Sequence, residues 1–314
     1  MRRARDVLLQ AAVLAVVVLP LAWFARNAAH NLAVRHIASG FGFLHDIAGM
    51  PIGETPIAWH PAADTYARAL LIGVLNTLRV AAVGIVLATV LGTAIGIARL
   101  ARNWLLSRLA AVYVEALRDV PLLLQLLAWY AVLLHLPPPG AGAWHLGAFG
   151  VLCNRGLFLV HPVLGRFNYT AGVAVSTEFL ALLAGLVFYT AAYVAETVRG
   201  GILAVPRGQG EAAAALGLTR AQTLRHVVLP QALRVILPPL TGEYLSLVKN
   251  SSLAVAIGYP EIVSIADTTL NQTGQAIEGV ALIMAAYLTI SLLISLMMAG
   301  VDARIAPRRA ASRG

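Results

Sequence analysis

The chain has 314 residues, of which 59% are hydrophobic and only 12% charged, with a formal net charge of +9. A soluble domain carries about 25% charged residues, so this composition, with a mean hydropathy of +0.79, excludes an ordinary soluble fold. Cys153 is the only cysteine, which excludes an internal disulfide and a cysteine-based zinc cluster.

Six apolar runs are long enough to cross a bilayer, which takes about 20 helical residues each. They are Val7–Phe24, Ala69–Ala98, Leu109–Leu136, Val173–Val198, Val235–Gly258 and Val280–Gly300. The first follows a basic start, as a secretory leader would. Its apolar run exceeds the usual leader core, and Trp23, Phe24 and Arg26 are poor cleavage-site residues, so it reads as an uncleaved span. Residues 27–68 form a connection broken by Gly40, Gly42, Gly49, Gly53, Pro51, Pro56 and Pro61. Phe41, Phe43, Leu44 and Trp59 suit it to lie along the membrane surface. The second run carries Gly84, Ala88, Gly92 and Gly96 at four-residue intervals. Such a stripe lets helices approach closely, either within this subunit or at a seam with a second one. In the third run Pro121 disfavours helix at Val120 and predicts a break or hinge. Leu146–Leu164 contains Asn154, Arg155, His161 and Pro162 and reads as an outer or re-entrant segment.

Between the fourth and fifth runs lies a polar, basic stretch. Glu211 to Leu216 is Ala-rich and predicts a short helix, with Gly217 at its C-terminal cap. Thr219 and Gln222 fit a capping box that opens a second helix, and Pro230 predicts a stop or kink at Leu229. Two short helices at a fixed angle make a rigid knob for a groove on a partner. With the N-terminus inside, the inner segments hold fifteen basic residues and the outer ones five. This is the positive-inside bias, so the basic charge is a topology signal and excludes a nucleic-acid reading. It places both termini and the Glu211 stretch in the cytoplasm. A P-loop needs Gly-x4-Gly-Lys-Ser/Thr, and the only lysine is Lys249, between Val248 and Asn250. The chain therefore cannot itself bind ATP in that way. The eight histidines show no metal-ligand spacing.

Charges inside the membrane are costly, so each needs a partner or a purpose. The candidates are Arg79, Glu115, Arg118, Asp119, Glu243 and Lys249. At about 1.5 Å per helical residue, Arg79, Arg118 and Asp119 fall roughly 15 Å deep and Lys249 roughly 20 Å. Two readings stand. A belt near the midplane receives a zwitterion, with Arg79 or Lys249 on its carboxylate and Asp119 or Glu243 on its ammonium. Alternatively the charges pair with one another, Arg118 with Asp119 or Glu115 with Arg79. Asn76, Gln125, Asn250, Ser251 and Ser252 are read as helix-to-helix hydrogen-bonding groups that also suit a cavity lining. Glu196 and Arg199, one turn apart, pair and tie the fourth span to the loop after it.

The spacing Glu211-Ala212-Ala213-x3-Gly217-x9-Val227-x-Leu229-Pro230 resembles the coupling loop of ABC importer permeases. Tyr193-x2-Glu196-x2-Arg199-Gly200-Gly201, Arg118-x2-Pro121-Leu122-Leu123-x-Gln125 and Lys249-Asn250-Ser251-Ser252-Leu253 resemble the polar amino-acid subfamily. Ile37–Phe41 and Leu270–Ala276 resemble the general L-amino-acid permeases of bacteria. The resemblance implies an all-α membrane protein of about six transmembrane helices: an extra N-terminal span and a five-helix type I importer core. Residues 1–68 would hold the extra span and its outer connection, 69–300 the core with its coupling loop at 200–234, and 301–314 a basic tail. It implies import of L-amino acids across the inner membrane, with Glu211, Ala212, Ala213, Gly217 and Pro230 touching the ATPase. The partners it implies are ABC ATPase subunits that bind ATP and Mg, a second homologous permease in a heterodimer, a periplasmic amino-acid-binding protein, and lipid. No catalytic residue, cofactor or metal is expected in this chain. Asp119 and Val120 depart from the family's usual Gly/Asn-Thr before the proline, and Val227 from its usual Ile. The outer connection before the fourth span is also short, which leaves open other cargo such as an opine, a quaternary amine or a metal ion. A carrier or scaffold without an ATPase is the remaining alternative.

Overall fold

The computed structural model describes residues 2–34, 39–140, 142–147, 149–166, 168–170 and 172–305. Much of the predicted basic tail and the Ile37-Ala38 pair lie outside them. The described chain is mainly helical. Helix α1 spans Arg2–Val34 and contains Pro20; α2 spans Tyr66–Ala98, α5 Thr177–Leu203 and α10 Ala276–Ile305. The last three are each long and apolar enough to cross a membrane. Two bent helix pairs also reach that length and apolarity when each is counted as one. Trp104–Asp119 (α3) and Leu122–Leu134 (α4) meet at 105°. The helical run from Arg220 to Ile257 meets Ile262–Thr273 (α9) at 53°.

Helix α2 has 33 residues, about 50 Å, well beyond a hydrocarbon core of about 30 Å. Its first turns project outward because the outer connection packs on them. Phe43, Ala48 and Met50 are buried against Tyr66, Ala69, Leu70, Ile262 and Ile265. The Trp59 indole donates to Met50 O at 3.1 Å. Phe43 and Trp59 therefore fold into a cap on the protein, whereas the sequence suggested a segment along the bilayer surface.

Two adjacent glycines of the stripe in α2 admit α5. A Cβ on Gly92 would lie 2.6 Å from Val194 Cβ, and one on Gly96 2.6 Å from Ala195 O. Gly84 instead admits Leu247 of α8 (Leu229–Asn250), 3.3 Å from where its Cβ would stand. The stripe thus packs within the subunit. Leu126, Leu182, Leu186 and Leu247 form one core around it, and Val194, Ile236, Leu240 and Ile290 another.

The third span breaks where Pro121 predicts. Val120 is extended at φ −91°, ψ 127°. Gln125 fills the gap, its Nε2 donating to Leu117 O at 2.8 Å and Val120 O at 2.9 Å. Those carbonyls would otherwise be unpaired in apolar surroundings.

Outside the membrane the chain forms small antiparallel sheets that the sequence did not reveal. Strands β1 (Trp144–His145), β2 (Gly150–Cys153), β3 (Gly156–Leu159) and β6 (Val173–Val175) pair in that order. Strands β4 (Val163–Leu164) and β5 (Tyr169–Thr170) form a second ladder. Val151, Cys153, Phe158 and Tyr169 give this region its own small core. The segment read as outer or re-entrant is therefore β-structured. Ser176 ends it, accepting from Phe179 N at 3.1 Å as the cap of α5.

Candidate functional site

The polar stretch after α5 folds into the expected helical knob. Helix α6 spans Arg207–Ala215 and α7 spans Arg220–Thr223. Gly217 sits at φ +76°, the left-handed region a glycine takes without strain. Leu218 N donates to Ala213 O at 3.1 Å and Gly217 N to Ala214 O at 2.9 Å, the paired bonds of a Schellman ending. Thr219 and Gln222 make the reciprocal capping box. Across the knob, Gln231 Nε2 donates to Val227 O at 2.9 Å and Gln209 Oε1 at 3.4 Å. Ala213 is buried, while Glu211, Ala212 and Gly217 are exposed and Leu216 is 82% exposed at the tip.

Pro230 corrects the expectation of a stop or kink. Leu229 is helical at φ −61°, ψ −44°, and α8 runs on through Pro230. Leu224–Val228 form a single π turn, in which Leu229 N bonds to Leu224 O. The extra residue carried by that turn takes the chain past a proline that has no N–H to give.

The six intramembrane charges do not form one belt. Arg79 ion-pairs with Glu54 of the outer cap, and Ser176 Oγ donates to the same carboxylate. The Arg79 guanidinium also lies 4.5 Å from the centroid of Phe179. Ser176 and Phe179 mark the start of α5, so Arg79 stands beside the N-terminus of that helix. Asn76 supports the same junction, donating to Glu54 O at 2.9 Å and Pro260 O at 2.8 Å.

Glu115, Arg118 and Asp119 come together near the α3–α4 break. With Arg99, Tyr193 and Glu196 they line a polar cleft of about 470 Å³. Arg118 lies 4.8 Å over the Tyr193 ring, whereas Glu243, half-buried on α8, is not part of the lining of this cleft. Neither expected pairing, Arg118 with Asp119 or Glu115 with Arg79, is among the ion pairs of the described residues. Glu196 does pair with Arg199, through Arg199 Nε at 3.2 Å, but also with Arg99 at the end of α2. It therefore ties α5 to the turn after α2 rather than to its own following loop. Lys249 stands apart, in a cavity of about 630 Å³ with Ser252 and Tyr287.

The sequence reading missed Glu54, Ser176 and Arg99 as partners of these charges. Glu54 carried one signal, as the only glutamate within the Gly/Pro-broken stretch 27–68; the other two carried none. Among the described residues no group of acids, histidines or cysteine is arranged to hold a metal.

Residues 84–309 match the family model for the binding-protein-dependent transport system inner membrane component. The chain belongs to this family. It is 42% identical to the general L-amino acid transport system permease protein AapQ of Rhizobium johnstonii, over 90% of this chain and 88% of that one. It is also 42% identical to the putative amino-acid ABC transporter permease YhdX of Escherichia coli, over 94% of this chain and 92% of that one. Among solved structures, an amino acid ABC transporter crystallised with histidines superposes with a TM-score of 0.58 at 27% identity. That match covers 76% of this chain and 95% of the other. The permease is thus a multi-pass inner-membrane protein with the type I importer fold.

Proposed function

We propose that this permease forms one half of the membrane channel of an ATP-driven importer of L-amino acids, moving them from periplasm to cytoplasm. The observation that carries the reading is the exposed, cap-stabilised knob from Arg207 to Thr223 on a membrane subunit with no P-loop. The names of the relatives supply the cargo class. ATP and Mg are bound by separate ATPase subunits, which grip Glu211, Ala212, Ala213 and Gly217. Pro230 sets the knob on α8. A second homologous permease completes the channel, and a periplasmic amino-acid-binding protein delivers the cargo. Both termini lie in the cytoplasm. ATP binding closes the ATPases, the knob moves as a rigid unit with α8 and its Glu243, and the cleft at Glu115, Arg118 and Asp119 changes its accessibility. Arg79 anchors the outer cap, and Lys249 meets the cargo.

The test is reconstitution of the permease with its partners in proteoliposomes. Amino acid should accumulate only with ATP, and changing Glu211→Ala and Gly217→Asp together should abolish accumulation while the assembled complex persists. Full uptake by that double variant, or no ATP-dependent uptake by the unaltered complex, would refute the reading.

A further inference from the structure

The cavity beside Lys249 combines a cation and two hydroxyls with an apolar wall. Lys249, Ser252 and Tyr287 supply its polar groups, and Val263, Ile283 and Leu288 belong to its apolar wall. Lys249 is the only lysine of the chain, is exposed, and forms no ion pair among the described residues. It lies two residues beyond Leu247, which packs on Gly84 of α2. It thus falls within a helical run that is a candidate membrane span by length and composition, where an uncompensated cation is costly. The charge needs an anion that the described residues do not provide.

The two hydroxyls add a second requirement. Ser252 Oγ donates its hydrogen to Lys249 O at 2.8 Å. Tyr287 OH donates to Glu261 Oε2 at 3.0 Å. Glu261 is fully buried and held by Ser264 N at 2.9 Å, so this arrangement is fixed from behind. With their hydrogens engaged, both oxygens offer only lone pairs to the cavity. The site therefore presents one cation, two acceptors and an apolar wall. At about 630 Å³ it falls within the range of small-molecule sites, which are mostly apolar with a few placed polar groups.

We propose that this cavity is a subsite for amino acids with apolar side chains, such as leucine or phenylalanine. Lys249 holds the α-carboxylate, Ser252 and Tyr287 accept from the α-ammonium, and the side chain lies on Ile283 and Leu288. The proposal rests on the amino-acid import reading and adds to it a preference within that class. An anionic lipid would satisfy Lys249 but would leave both acceptors without a donor.

The experiment uses the reconstituted complex, with ATP-dependent uptake of leucine, phenylalanine, alanine and glutamate measured side by side. Lys249→Gln should raise the KM for leucine at least tenfold, and Lys249→Arg should restore most of the loss. Ala285→Phe, which narrows the cavity from its rim, should lower the leucine-to-alanine uptake ratio at least fivefold. Leucine binding to the lipid-depleted complex should be lost in Lys249→Gln. An unchanged leucine KM in Lys249→Gln, or an unchanged ratio in Ala285→Phe, would overturn the subsite. So would failure of Lys249→Gln to assemble with the second permease, which would place this cation in the subunit seam. Loss of a co-purified anionic phospholipid, with leucine binding intact, would make the cavity a lipid site. Absence of all amino-acid uptake by the unaltered complex would instead remove the import reading itself.

Discussion

Arg79 illustrates how a single intramembrane charge is settled by residues far from it in sequence. Its partner Glu54 comes from 25 positions upstream, and Ser176 joins from 122 positions beyond Glu54. The Glu54 carboxylate is 13% exposed and the Arg79 guanidinium 33%, so removing one partner strands the other in poorly hydrated surroundings. Glu54→Gln and Arg79→Gln should each lower the thermal stability of the detergent-solubilised permease. The double variant should recover part of the loss, with a coupling of about 1–3 kcal/mol. Thermal unfolding of the four proteins checks this, and strict additivity would mean that the pair is dispensable. That Arg79 needed a partner was legible in the sequence, because the cost of burying charge is general. Which carboxylate served was not, because the outer cap had to fold back before Glu54 could reach it.

The same contrast holds for elements. The α3–α4 break followed from Pro121 alone, since its ring excludes helix at Val120. The direction of the bend followed from packing. Leu126 sits where Gly185 lets α4 approach α5, with 3.3 Å between Leu126 Cα and a Cβ placed on Gly185. Gln125 then closes the opened ladder. Gln125→Leu should destabilise the permease by about 1–3 kcal/mol through two stranded carbonyls, and should speed backbone hydrogen exchange at residues 117–125. Exchange unchanged from the unaltered protein would show that the amide has no part in fixing the bend. Pro230 shows the opposite outcome. A local rule predicted a stop, and a π turn one residue longer than an ordinary helical turn bypassed it. The β-structured outer segment was invisible for a related reason. Its strands are two to four residues long, too short for an alternating pattern, and they are held by pairing with one another and by contact with α5.

For the whole molecule, the proposed topology sets the β-structured region and the Glu211 knob on opposite sides of the membrane. Phe149 and Leu216 are each 82% exposed, whereas the native Cys153 is 1% exposed. Cysteine placed at Phe149 should react with a membrane-impermeant maleimide in spheroplasts, and cysteine at Leu216 only in inverted vesicles. The unaltered permease should remain unlabelled in both. Labelling of both variants from the same side would overturn the orientation. The exposed apolar faces of α10, at Met284, Leu288, Leu292 and Leu296, and of α3, at Trp104 and Leu109, are those of a subunit surrounded by lipid and further subunits.

The sequence by itself determined the membrane class, the cap chemistry around Gly217 and the break at Pro121. Each of these depends on composition or on residues within one or two helical turns. Only the tertiary structure decided that the Gly92–Gly96 segment serves α5, that Glu54 holds Arg79, that Glu196 reaches Arg99, and that Lys249 stands apart from the Arg118 cleft. These outcomes depend on the relative depth and tilt of helices. Those are fixed by how α2, α5 and α8 pack together, which no periodicity within a single helix can encode.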